Sequence, residues 1–194
     1  GHQGLHRPDL RGGMKVVCLA GYSGVGKTTL AEQLIPALRQ RGLRVSVVKH
    51  AHHQFDVDHP GKDTWRHREA GAFEVVAASD QRLVLMREFE RPTELSVHQL
   101  LAELYEGVDW VLVEGFRHSD LLKVEIWRAP EAGQEARPLL FPEDDFVAAI
   151  ATKLPAQLPQ ATGLPVLDLD DAQAVADWLV RHGERFDYSF DIRE

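Results

Sequence analysis

Between the short β-rich run Val16 to Ala20 and a segment of helical apolar spacing lies Gly21-Tyr22-Ser23-Gly24-Val25-Gly26-Lys27-Thr28, which fits G-x-x-x-x-G-K-[ST] at every position. No other feature narrows the fold so far, because this pattern has chemical meaning only where a strand enters the loop and a helix leaves it. Both flanks are present, since Leu30, Leu34 and Leu38 recur at helical spacing as far as a C′ glycine near Gly42. Glycines permit positive φ and close approach, so successive backbone N–H groups form an anion nest at the positive end of a helix. Lys27 brings a point charge to the β- and γ-phosphates of a nucleoside triphosphate, and the Thr28 hydroxyl suits Mg²⁺. The expected phosphate-binding residues are therefore Gly21, Ser23, Gly24, Val25, Gly26, Lys27, Thr28 and Thr29, with Lys27 also catalytic.

A second β-branched run, Arg44 to Lys49, completes a βαβ unit and implies a parallel sheet. Further strands are expected at Val108 to Val113, Lys123 to Trp127, Val147 to Ala151 and Val166 to Leu169, and helices at Asp63 to Ala70, Thr93 to Tyr105 and Asp171 to Arg181, the last capped by Asp170 or Asp171. Phe73 to Ala78 and Leu83 to Met86, joined by Ser79-Asp80-Gln81, form a β-hairpin. The fold class predicted is α/β, a three-layer P-loop NTPase with a mostly parallel central sheet flanked by helices and a peripheral hairpin. For 194 residues one domain is the default, here 14–182, with 1–13 a lead before Met14 and 183–194 a tail without period. Residues 130–145, rich in Pro, Glu and Gly, are expected to form a mobile excursion.

Composition excludes several classes. No run of about eighteen apolar residues is available to span a bilayer. A net charge of −8 argues against general binding to nucleic acid or anionic lipid. The single cysteine, Cys18, removes any intramolecular disulfide or Cys-based zinc site and fits the cytoplasm.

Trp110-Val-Leu-Val-Glu114 delivers one carboxylate at the end of an apolar strand, where open α/β sheets place ligands. Glu114 is expected to hold Mg²⁺ through water or to orient an attacking water. The loop from Lys49 to Asp63 is dense in histidine and aspartate. It is either a solvated loop, a transition-metal site, or a nucleotide-responsive segment in which Asp58 or Asp63, of the three aspartates Asp56, Asp58 and Asp63, approaches Mg²⁺ and Lys62 a phosphate. Arg66, His67 and Arg68 are expected on a solvated helix face.

These segments resemble the MobB family of molybdopterin-guanine dinucleotide biosynthesis adapter proteins. The resemblance is carried by Gly21 to Thr29, Val48-Lys-His-Ala-His-His53, Asp56-Val-Asp58, Pro60-Gly-Lys-Asp63, Arg66-His-Arg-Glu-Ala-Gly71 and Val111-Leu-Val-Glu-Gly-Phe116, and thins beyond residue 130. It implies a homodimeric GTP-binding protein with weak Mg²⁺-dependent hydrolysis, working beside a MobA-type guanylyltransferase on the molybdopterin cofactor. It also implies phosphate and metal roles for Lys27 and Thr28 and the second acid for Glu114. GTP preference comes from the resemblance alone, since the usual Asn-Lys-x-Asp guanine reader is missing; the Lys153 stem, after Ala151-Thr152, is placed to flank a base. Two alternatives stay open: a small-molecule kinase, for which no catalytic Asp announces itself after the second strand, and a nickel metallochaperone GTPase suggested by the histidines of the 50–59 loop.

Overall fold

The computed structural model describes residues 13–22, 24–51 and 55–190. In chain order these form β1 (Met14–Ala20), α1 (Lys27–Gln40), β2 (Val45–Lys49), α2 (Asp63–Glu69), β3 (Glu74–Ala78), β4 (Leu83–Arg87), α3 (Val97–Leu101), β5 (Trp110–Glu114), β6 (Lys123–Ile126), β7 (Val147–Thr152), β8 (Val166–Asp168), α4 (Ala172–Arg181) and β9 (Asp187–Tyr188). They fall into two compact units, residues 51–96 and the rest.

The larger unit is built on a sheet of order β2-β5-β1-β6-β7-β8, parallel throughout, with β9 antiparallel to β1. Parallel strands covered on both faces read as unbroken apolar runs, as residues 16–20 of β1, 110–113 of β5 and 147–151 of β7 do. Alternation decides which side chain meets which layer. Val17, Leu19, Trp110 and Leu112 pack with Leu30, Leu34 and Leu38 of α1 and with Val175, Trp178 and Leu179 of α4. Val16, Cys18, Val111 and Val113 face the other way, toward Val97 and Leu101 of α3. The expected mostly parallel sheet between helical layers, and the separate hairpin, are both present.

Three elements depart from expectation. The helix foreseen over Thr93 to Tyr105 is regular only from Val97 to Leu101. Beyond it Glu103 and Leu104 donate to carbonyls three residues back, so the chain tightens into 3₁₀-like turns although the apolar spacing continues. The stretch after Gly183 forms a 3₁₀ turn over Gly183–Phe186 and then β9, with Phe186 and Tyr188 buried. Strand β6 pairs β1 only from Cys18 onward, and β9 pairs it at Met14 and Lys15. The excursion after β6 is tied down: the buried Glu125 carboxylate accepts from the Leu140 and Phe141 amides at 2.6 and 2.9 Å, and the Trp127 indole donates to the Arg137 carbonyl at 3.4 Å. Burial raises the Glu125 carboxyl above the usual range, partly offset by those two amides. Asp171 is the cap of α4, accepting from Ala174 N at 3.0 Å.

In the smaller unit the hairpin β3–β4 pairs Glu74 with Arg87 through Ala78 with Leu83. Helix α2 buries no residue. Arg68 is not on a merely solvated face: it bonds Asp56, Asp58 and Glu88, at 2.6 to 3.4 Å. Among the described residues no helix is long and apolar enough to cross a membrane.

Candidate phosphate-binding site

Strand β1 lies between β5 and β6, at the point where the strand order reverses, and the loop that follows it opens at the carboxyl edge of the sheet, the place where open α/β sheets bind ligands. Gly21 leaves β1 against the neighbouring backbone: a Cβ there would sit 2.7 Å from the Ile126 carbonyl oxygen and 2.8 Å from Val25 Cγ2. Val25 is buried and anchors the loop to the core. Gly26, at φ +106°, is the N-cap of α1, and its left-handed backbone turns the chain into the helix. Gly24 is exposed, as are Thr28 and Thr29 at the start of α1; Ser23 lies outside the described residues.

Lys27 donates from Nζ to the Gly21 carbonyl at 2.8 Å, so the ammonium spans the loop from helix to strand end. Burial holds it below the ordinary lysine range; Arg117 and Lys49 push the same way, while Glu114 and Cys18 oppose them. A positive charge penalised in this way is stabilised by an arriving anion.

Glu114 is not a solvent-facing strand end. Parity puts it on the same face as Trp110 and Leu112, the face covered by α1, and it is 7% exposed. The Thr28 hydroxyl donates to Glu114 Oε1 at 2.7 Å, joining the first turn of α1 to the end of β5. With its proton committed to the carboxylate, the hydroxyl keeps its lone pairs for a further partner. On the other face of β1, the Cys18 thiol donates to the Gly115 carbonyl at 3.1 Å and is pushed up to about 12 by burial, a structural rather than a reactive cysteine.

Lys153 follows β7 on the same sheet edge, 3.2 Å from Asp170. Asp58, Lys62 and Asp63 belong to the smaller unit. There Asp58 accepts from the His59 amide and the Thr64 hydroxyl, both at 3.0 Å, besides Arg68. Burial pushes its carboxyl up, but the hydrogen bonds from Thr64, His59 and Arg68 together outweigh that and hold it below the ordinary range. Lys62 is the N-cap residue of α2 and Asp63 lies in its first turn. His52 and His53 lie outside the described residues, and among the described residues no three His, Cys, Asp or Glu side chains converge as a metal site.

Sequence reasoning passed over the basic side chains around the loop. Arg117 lies 4.3 Å and Arg137 5.1 Å from the Tyr22 ring centroid, and Arg128 would be 3.4 Å from a Cβ on Gly26. They come from two different loops, and no periodicity ties them to residues 21–28; only the position of Arg117 directly after the Glu114 strand end offered a signal.

The family model described as MobB, molybdopterin guanine dinucleotide synthesis protein B, matches residues 16–153. The chain is 40% identical over 166 residues to the molybdopterin-guanine dinucleotide biosynthesis adapter protein of Escherichia coli K12, an alignment covering 85% of this chain and 91% of that one. It is 40% identical over 164 residues to the adapter protein of Haemophilus influenzae, covering 83% and 85%. Among solved structures, Bacillus subtilis MobB superposes with a TM-score of 0.62 at 25% identity, over 87% of this chain and 97% of that one. A MobB homolog from Bacillus stearothermophilus superposes with a TM-score of 0.60 at 26% identity, over the same shares. A phosphate-loop sequence and strand-end acid on this sheet order, inside a family match that spans most of the chain, make it a member of the MobB family.

Proposed function

We propose that this chain is a GTP-binding adapter in molybdopterin guanine dinucleotide biosynthesis, a homodimer with weak Mg²⁺-dependent GTP hydrolysis that assists a MobA-type guanylyltransferase acting on the molybdopterin cofactor. The pathway is supported by the names of the relatives from Escherichia coli and Haemophilus influenzae, both adapter proteins of that synthesis. The nucleotide role is carried by one observation, the 2.7 Å bond from the Thr28 hydroxyl to the buried Glu114 beside Lys27 and the glycine loop.

The residues fit a hard divalent cation. A hydroxyl and a carboxylate are oxygen donors of the kind Mg²⁺ selects, and they meet next to the ammonium that would face the phosphates. When bound, Mg²⁺ would neutralise charge on the β- and γ-phosphate oxygens. The chain's own residues then have separate tasks. Loop amides and Lys27 bind and orient the phosphates. Glu114 fixes the Thr28 hydroxyl and, as an acceptor beside it, holds a water by hydrogen bonding. Asp58 is assigned to the architecture of its own loop, where its oxygens are engaged by His59, Thr64 and Arg68.

Glu114→Gln keeps the size and one acceptor oxygen for the Thr28 hydroxyl but loses the charge and the second acceptor. Its expected effect is a turnover at least about tenfold slower with a much smaller change in GTP affinity, measured by single-turnover hydrolysis and calorimetry. Unchanged turnover would remove Glu114 from the chemistry. Parallel titrations with GTP and ATP test the base preference, GTP being expected to bind more tightly.

A further inference from the structure

The loop is surrounded by more positive charge than its own lysine supplies, in a chain whose net charge is −8. Arg117 and Arg137 stack on Tyr22, the residue after Gly21, with guanidinium carbons 4.3 and 5.1 Å from the ring centroid. No carboxylate partner is found for either among the described residues; besides the Tyr22 ring, Arg117 meets the His118 ring, to which its Nε donates at 3.3 Å. Two guanidinium groups gathered at one ring concentrate positive charge beside the loop, and an anion that reaches both is stabilised there.

Both arginines are held there by built features. Gly115 at φ +94° and Phe116 at φ +54° are consecutive left-handed residues after β5, and for phenylalanine that conformation is costly. The Phe116 ring packs on His50 at 4.7 Å, which fixes the turn that brings Arg117 back over the loop. On the other side, the backbone of Arg137 is pinned by the Trp127 indole, and Glu125 captures the amides at Leu140 and Phe141. Two buried side chains at the end of β6 thus fix the segment that carries one exposed arginine. The charge of Arg117 is also felt at Lys27, which it pushes toward the neutral form.

We propose that Arg117 and Arg137, held against Tyr22, form a second phosphate-binding subsite at the outer lip of the loop. It takes a terminal phosphate group, supplied by the γ-phosphate of the nucleotide or by a phosphate monoester on a second ligand. The subsite rests on the nucleotide site proposed above. Planar forked donors suit it, because a phosphate presents paired oxygens that a guanidinium meets two at a time.

The test uses the full chain, with Arg117→Gln, Arg137→Gln and the double variant, and calorimetric titration of three ligands in the presence of Mg²⁺. These are GTP, GDP, and inorganic phosphate added to the GDP-loaded protein. Matching thermal melts establish that the variants fold, as expected for side chains that are not part of the core. If the γ-phosphate is the occupant, the double variant loses about tenfold or more in GTP affinity with GDP unchanged. If a second ligand's phosphate is the occupant, GTP affinity holds while the binding of inorganic phosphate to the GDP-loaded protein is lost. A double variant that binds all three ligands as the wild type does overturns the subsite and leaves the loop intact. A wild-type chain that binds neither nucleotide overturns the nucleotide site itself and the subsite with it, a result distinct from silence in the variants alone.

Discussion

The two units of this chain are held together by different physics. In the larger one, β1, β5 and β7 are buried nearly end to end, and a continuous core joins the sheet to α1 and α4. In the smaller one α2 buries nothing, and the hairpin leaves Val76, Leu83 and Leu85 at 57%, 68% and 46% exposure. A two-stranded hairpin with so little covered apolar surface is marginal by itself. Its order depends on charge: Arg68 ties Asp56 and Asp58 to Glu88, and Arg87 pairs with Glu74 across the strands. The contrast teaches where rigidity is needed. The loop and its acid are mounted on the unit whose geometry burial fixes, whereas the charged 51–96 segment is free to respond to small changes in charge.

The contrast breaks most visibly under truncation of the core. Leu112→Ala, at a fully buried position on the face toward α1, is expected to destabilise the larger unit by about 2–5 kcal/mol in chemical denaturation. Val84→Ala in the exposed hairpin should stay within about 0.5 kcal/mol. Equal losses would mean that the hairpin is covered as fully as the sheet.

A smaller effect is expected from Arg68→Ala. Amide exchange across residues 51–96 should accelerate while β1 and β5 keep their protection, because the arginine links three acids that nothing apolar replaces. Uniform acceleration over the whole chain would show that the network supports the sheet as well.

The smallest effect is in pH. The Asp56 carboxyl is held below its ordinary range first by the Arg68 hydrogen bond, and Asp58 is held low as well. Such groups contribute stability that is fully present above the unfolded value and lost as pH falls through the folded one. Residues 51–96 should therefore begin to loosen only below about pH 4, in exchange measured from pH 6 downward. Loosening that begins near neutrality would contradict this dependence on Asp56 and Asp58.

The sequence revealed most where one residue type has one job. Gly26 makes the left-handed turn that glycine permits, and the apolar runs of β1 and β5 lie inside a parallel sheet, as their composition predicts. Parity with Trp110 and Leu112 also gives the face that Glu114 occupies, once the strand boundaries are known. What stayed hidden depends on contacts distant in sequence. Apolar spacing over 93–105 marks a packed face but not the backbone bonding, which changes after Leu101. Pro- and Glu-rich composition suggests a loose excursion over 130–145, because composition does not show that Glu125 and Trp127, each buried on or beside β6, reach across to hold it. Nor does spacing predict that Arg117 and Arg137, twenty residues apart, meet on one tyrosine.

We propose that the loop between β1 and α1 holds a polyphosphate, with Lys27 and Thr28 completing the cradle. Calorimetry of Mg-GTP against wild-type protein and Lys27→Ala tests it most directly. Binding in the wild type, lost in the variant while thermal melting shows the fold intact, is the predicted result. Equal affinity in both proteins would contradict it.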